Sequence, residues 1–387
     1  MAKNTKISAI KTYPLEVPLD RPWAYSQCWR HTRWSLFVQV STEDGFVGWG
    51  EGEYAPTSSA DAIHSQYADI FLGQDPFDVR ALWERAYNYT RDYGRTGVTM
   101  IALSALETAL YDLCGKILGV SVSTLLGGGF RTRVPVYLTG GYPHDLSRIV
   151  EEVVDESRRK VDQGAGALKL KVGFGVDLDT ELIHAVRNAV GPSVRIMMDA
   201  NRAYTAAEAI QLSKRVQDCR IYWFEEPVVP EDLEGYREVR ARTEIPVAGG
   251  EEEYTRWGFR RLLESGAVDI VQPSVAMAGG VGECRNIAYL ASAFNTRCVP
   301  HSWGLGINTA ATLQLLSAMP QYPPRLIEDP PMLEVDSSAS SLRDEALVDG
   351  PVIKDGFAYL PENPGIGAVV NQSAVERIAS PIRESSL

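Results

Sequence analysis

The 387-residue sequence predicts a parallel (β/α) barrel preceded by a separate α+β module. Three observations predict it. Short apolar segments alternate with amphipathic helical segments from Val134 to Ala318. Acidic residues recur at one fixed spacing where three of those short segments end. Residues 1–132 have another texture, strands first and helices after. Repeated βα units of this size build an all-parallel sheet, and about eight of them close into a barrel. The alternative is an open doubly wound sheet, whose nucleotide-binding form opens on a G-x-G-x-x-G turn that this chain does not place after a first strand.

The elements follow in order. Ile7–Val17 and Trp34–Val40 read as strands, and Gly45–Gly50 as a hairpin partner. Helical patterns cover Ser59–Ile70, Phe77–Tyr89 and Met100–Leu118. In the last, Leu103, Leu106, Leu110, Leu113 and Ile117 recur every three or four positions. The glycines at 127–129 close this module. Strands are then expected at Val134–Leu138, Ala167–Val172, Val194–Met198, Ile221–Phe224, Pro246–Ala248, Val268–Gln272 and Arg297–Val299, each followed by a helix. The predicted domains are 1–132, a barrel over 133–335, and a segment over 336–387 that packs back on the N-terminal module.

Hydrophobic residues make up 45% and charged residues 23%, ordinary for a chain able to bury a large core. The formal net charge of −12 without a basic stripe argues against nucleic acid and anionic membranes as partners. Five scattered cysteines with no C-x-x-C pair suit reduced thiols. The N-terminus lacks an apolar signal core and no run approaches 18 apolar residues, so a cytoplasmic protein that spans no membrane is expected.

In a parallel barrel, chemistry sits where strands end. The second strand ends Lys169-Leu170-Lys171, and alternation puts both lysines on one face. The third ends in Asp199 with Asn201 two on, the fourth in Glu225, and the fifth leads through Gly249-Gly250 to Glu251. Asp199, Glu225 and Glu251 are each 26 positions apart, one βα period, so the three carboxylates converge on one rim. Any one of them could simply cap the next helix. Three at one period, beside K-x-K, point instead to a bound cation. All-oxygen ligands suit Mg²⁺, with Mn²⁺ as an alternative. Neighbouring lysines near such an ion disfavour each other's protonation, so one is expected to titrate low enough to act as a base. His301, which follows the seventh strand, offers a second base or acid on the other face.

These motifs resemble the enolase superfamily, specifically its mandelate racemase/muconate lactonizing enzyme group. The likeness spans the chain: SALETALYDLCGKILGVSVSTLLGG (104–128), LKLKVG (168–173), DAN (199–201), WFEEP (223–227), PVAGGE (246–251), AGGVGE (278–283), PHSWG (300–304) and PENPGIG (361–367). The resemblance implies a modified (β/α)7β barrel under a capping domain. It implies Mg²⁺ on Asp199, Glu225 and Glu251, Lys171 as base with Lys169 beside it, and His301 opposite. It also implies Glu328, in LIEDPP, as the acid that hydrogen-bonds the substrate carboxylate. Such sites stabilise an enediolate formed by loss of an α-proton. One departure stands out. The group's usual aspartate partner of the histidine is here Ser274, so His301 is expected to be a weaker base, serving as a neutral donor or acid, and two-base racemisation is disfavoured.

The phrases VGFGVD, WFEEPVVPE and PVAGGE draw the chain toward acid-sugar enzymes, the cycloisomerases of sugar-acid lactones and the acid-sugar dehydratases. In both, loss of the α-proton is followed by expulsion of a β-oxygen. Capping-domain loops would then set specificity, with Trp29, Arg30, His31 and Tyr54 as candidate contacts, although a plain hydrophobic lid fits the same stretch. The expected partner is a small acid-sugar carboxylate, and the resemblance implies a homo-oligomer. Two alternatives are a racemase or epimerase of the same superfamily and a barrel that only binds a sugar acid.

Overall fold

The structure, a computed structural model, describes residues 5–387. The N-terminal part is an antiparallel sheet of β1 (Ile7–Tyr25), β2 (Cys28–Thr42) and β3 (Val47–Gly52), with Arg383–Ser386 from the C-terminus added beside β1. β1 and β2 run further than the apolar pattern suggested. Beyond a register shift between Pro18 and Trp23, Trp23 pairs with Arg30, Ala24 with Trp29 and Tyr25 with Cys28. The stretch read as a lid loop is therefore the tip of a long hairpin. Its polar and aromatic residues hid that continuity.

Against this sheet lies the helix Val98–Leu118. Its approach is set by glycine. Gly48, Gly50 and Gly52 share one face of β3, because side chains alternate along a strand. A Cβ on Gly48 would sit 2.1 Å from the Ala109 carbonyl oxygen, one on Gly50 1.9 Å from that of Ala105, and one on Gly52 3.0 Å from the Ile101 side chain. Those helix residues are four apart, so they form a single ridge. By length and composition this helix could cross a bilayer, unlike the expectation from the sequence, but 83% of its most apolar window is buried in the fold. It packs on β3, on the helix Val79–Thr90 and on the helix Val281–Ala293, which accounts for apolar residues all round.

The barrel consists of β4 (Arg133–Gly140), β5 (Ala167–Lys171), β6 (Arg195–Asp199), β7 (Ile221–Glu225), β8 (Val247–Gly249), β9 (Ile270–Val271), β10 (Arg297–Cys298) and β11 (Leu333–Asp336). Ladders run without a break from β10 through β4 to β11, all parallel. Tyr137, Ala167, Met197, Trp223, Ala248, Ile270, Val299 and Met332 form one buried cluster, drawn from all eight strands or the residues beside them. That shared interior closes the barrel, and it plugs the floor beneath the strand ends. At the mouth, Glu334 on β11 stitches the seam to β10 by accepting the Ser302 amide at 3.0 Å. The eighth strand, which a (β/α)7β barrel requires, lies at Leu333–Asp336, a position the apolar pattern had not marked. In the tail, Phe357–Tyr359 pairs antiparallel with β4, while the helix Gln372–Ile378 packs on β1.

Buried polar contacts fasten the cap to the barrel. Arg33, 1% exposed, meets Asp336 at 2.7 Å and donates to the Gly304 carbonyl at 3.1 Å. Glu51 accepts the amides of Leu305 at 2.6 Å and Asn308 at 2.7 Å, capping the helix Ile307–Ala318 from the other domain. At the hairpin tip, Ser26 and Gln27 donate to the carbonyls of Ala200 and Asn201, just past β6. Substituting Gly50→Ala drives a methyl into backbone and should cost about 3 kcal/mol, read as a lower denaturant midpoint at unchanged slope.

Candidate active site

The ends of β5, β6, β7 and β11 meet in a pocket roofed by the capping hairpin. Lys169, fully buried, lies at the centre of the charge cluster that these strand ends form. Its ammonium group contacts Glu225, sits 2.7 Å from Glu334 Oε1 and 3.6 Å from Asp199 Oδ2. Lys171 donates to the same Asp199 oxygen at 2.6 Å. Asp199 Oδ1 accepts the Asn201 amide at 2.9 Å. Glu225 Oε2 accepts from Trp223 Nε1 at 2.9 Å and Gln272 Nε2 at 2.7 Å. His301 Nδ1 lies 3.0 Å from Glu334 Oε2 and 3.2 Å from Glu251 Oε2, and its Nε2 lies 3.5 Å from Glu53 Oε1.

The cluster therefore sets five carboxylates, those of Glu53, Asp199, Glu225, Glu251 and Glu334, against Lys169, Lys171 and His301. All eight side chains are buried, and full ionisation leaves a formal excess of two negative charges. Glu251 Oε2 accepts no well-formed hydrogen bond among the described residues, and ligand atoms of Glu225, Glu251 and His301 all fall within 4.8 Å of one another. A hard divalent cation matches both the charge and the oxygen donors. Asp199 is turned from that trio toward the lysines.

Burial acts first on every pKa here, and neighbours then decide the outcome. Burial pushes Glu225 up to about 7 despite the opposing Lys169. Asp199 and Glu334 end below the usual carboxylate range, because for Asp199 the two lysines, and for Glu334 Lys169 and His301, outweigh burial. Burial alone would lower Lys171, yet Asp199 and further acidic neighbours hold it above its ordinary value. That differs from the low lysine expected from two adjacent ammonium groups: each lysine has its own acid. Burial would likewise lower His301, but Glu251, Glu334 and Glu53 hold it well above. The weaker histidine inferred from Ser274 is thus not what the structure holds.

Other expectations divide. Arg30 and Tyr54 line the pocket with Trp23, Tyr25, Trp34 and Trp303. Arg30 lies over the rings of Tyr25 and Trp34, 5.3 and 4.6 Å from their centroids, and donates to the Tyr25 hydroxyl. Trp29 and His31 flank it on the strand and stand exposed, since alternation turns them away. Ser274 is buried but donates to Glu53. Glu328 is exposed on the excursion between the helix Ile307–Ala318 and β11 and does not line the pocket. The acid that does reach the pocket from this part of the chain is Glu334. The faint signal for Glu334 was apolar Leu333 and Val335 on either side, which reads as a strand with an inward acid. Glu53 and Trp303 carried no comparable signal.

Residues 9–127 match the mandelate racemase/muconate lactonizing enzyme N-terminal domain, and residues 152–374 the enolase C-terminal domain-like family. The chain belongs to the enolase superfamily. It is 40% identical to D-galactarolactone cycloisomerase of Agrobacterium fabrum over 97% of this chain and 99% of that one. It is 31% identical to arabinonate dehydratase of Saccharolobus solfataricus, covering 88% and 89%. Among solved structures, 3,6-anhydro-D-galactonate cycloisomerase of Zobellia galactanivorans superposes with a TM-score of 0.88 at 36% identity, covering 97% and 99%. A Streptomyces coelicolor racemase with bound magnesium gives 0.86 at 25% identity, covering 96% and 99%. This superfamily member is therefore an enzyme of the lyase/isomerase kind, whose homologues act on acid sugars.

Glu334→Gln should destabilise the fold by about 3–5 kcal/mol, because Lys169 and His301 each lose a buried charged partner. Glu328→Gln should leave thermal unfolding unchanged. Paired melting curves of the two variants check the placement.

Proposed function

We propose that this enzyme removes the proton α to the carboxylate of an acid sugar or its lactone and then expels the β-oxygen, acting as a sugar-acid lactone cycloisomerase or the closely related dehydratase. The observation that carries the reading is the burial of Asp199, Glu225 and Glu251 around one pocket, Asp199 turned toward Lys171 and Glu251 toward His301. Near full-length similarity to two cycloisomerases, one named for a sugar-acid lactone and one for an anhydro sugar acid, supports the cycloisomerase form.

Mg²⁺, or Mn²⁺, on Asp199, Glu225 and Glu251 would stabilise charge on the substrate carboxylate and, by neutralising Asp199, relieve the field that keeps Lys171 protonated. Lys171 takes the α-proton. Lys169 stays charged among its acids and sets the field around its neighbour. His301, held protonated by its carboxylates, delivers a proton to the departing oxygen. Glu334 holds Lys169 and meets the pocket edge of His301. Trp23, Trp34 and Trp303 exclude water, and Arg30 offers a cation to the polar far end of the substrate.

One observation favours a second reading, proton transfer between faces as in a racemase: His301 does have carboxylate partners. In D₂O with Mg²⁺ and a panel of aldonates, aldarates and lactones, we expect ring-opened or dehydrated product. Epimer formation with α-deuterium would establish the second reading, and no exchange on any of them would mark a binder. Chelation by EDTA should abolish turnover and added Mg²⁺ restore it. Lys171→Met should lower turnover by about 10³-fold with circular dichroism unchanged.

A further inference from the structure

We propose that Glu53, delivered by the capping domain, is the positioning carboxylate of His301, and that Ser274 serves Glu53 rather than the histidine. The inference rests on the catalytic reading of His301 given above.

The imidazole has two edges. One faces the pocket, where Nδ1 lies between Glu334 and Glu251. The other faces Glu53, whose Oε1 is 3.5 Å from Nε2. A ring acting on substrate from one edge needs its tautomer and orientation set from the other. Glu53 is 4% exposed, so that interaction is little screened by water. Its second oxygen, Oε2, accepts the Ser274 hydroxyl at 3.3 Å. This contact explains the serine. A carboxylate at position 274 would face the carboxylate of Glu53 at the same range, and two buried like charges repel. A hydroxyl instead donates and holds the acid. Glu53 and Ser274 are thus a matched pair that places one carboxylate behind the histidine by a route through the other domain.

The backbone holds Glu53 in place. It follows β3, whose Gly52 packs on the helix Val98–Leu118, and it precedes two left-handed residues, Tyr54 at φ 58° and Ala55 at φ 43°. Such conformations are costly outside glycine and persist only where packing enforces them. Glu51, two residues earlier, is anchored through Leu305 to the loop that carries His301 and through Asn308 to the helix that follows it. Acid and histidine are therefore referenced to each other across the domain boundary.

The test combines Glu53→Gln, Glu53→Asp and His301→Asn. Glu53→Gln should lower kcat at least 30-fold with KM changed less than threefold, and Glu53→Asp should recover part of the loss. α-Deuterium exchange through Lys171 should persist in Glu53→Gln, because the other flank is untouched. In the His301→Asn background, Glu53→Gln should cost less than threefold more, since a residue acting through the histidine has nothing left to act on. Independent of turnover, ¹⁵N-edited NMR should show the His301 ring nitrogens in one fixed form in the wild type and averaged in Glu53→Gln. Losses that multiply across the double variant, or unchanged ring signals, overturn the proposal. If the wild type turns over no acid sugar, the catalytic reading fails, and the ring signals alone decide whether Glu53 positions the imidazole.

Discussion

The constraint on which this molecule depends is the gathering of five carboxylates in a space that water scarcely enters. Isolated, each would surrender its charge or unfold its surroundings. Lys169 answers the problem from the centre, touching Asp199, Glu225 and Glu334. Lys171 and His301 answer it from the flanks. The rest of the architecture can be read as support for this arrangement. Strand register brings Lys171, Asp199 and Glu225 level across three strands, and the apolar plug below them keeps the floor rigid. Removing one partner leaves another buried charge unpaired, which is why such clusters are all or nothing.

Strain is concentrated around the same pocket. Tyr54, Asn201, Arg202 and Glu226 all take left-handed backbone conformations without being glycine. Two lie just past β6 and one just past β7, where strands give way to loops. Arg202 pairs with Glu226 and Glu252, so the strained turns are also tied by charge. Sharp turns there aim side chains inward at the mouth instead of continuing a ladder. A loose loop could not hold them so.

Much of the site was legible because barrels are periodic. Asp199, Glu225 and Glu251 announce themselves by recurring at one βα interval, and Lys169 with Lys171 by the strand's own alternation. Glu334 escaped because the run from Met319 to Met332 belongs to no repeat, so spacing gave it no address. Glu328 attracted attention through its neighbours Asp329 and Pro330, yet an acid in irregular, exposed chain has no wall to point from. Glu53 was invisible for a different reason. Its partner is 248 positions away, across a domain boundary, and no linear pattern records a contact made by docking. The hairpin tip was misjudged as loop because its aromatics and cations face a pocket rather than a core, so the usual in-out signature is absent.

The segment GWGEGE carries two unrelated requirements on its two sides. Its glycines set how near a helix may come, while Trp49, Glu51 and Glu53 take the other side, from which the two acids reach the barrel. An indel of a single position within 48–53 would exchange those sides, burying acids against the helix and offering glycines to the histidine loop. Length drift among distant relatives should therefore accumulate in the turn at Glu43–Phe46 and stay out of this hexapeptide. It can serve as a fixed ruler for aligning capping domains whose other residues have diverged.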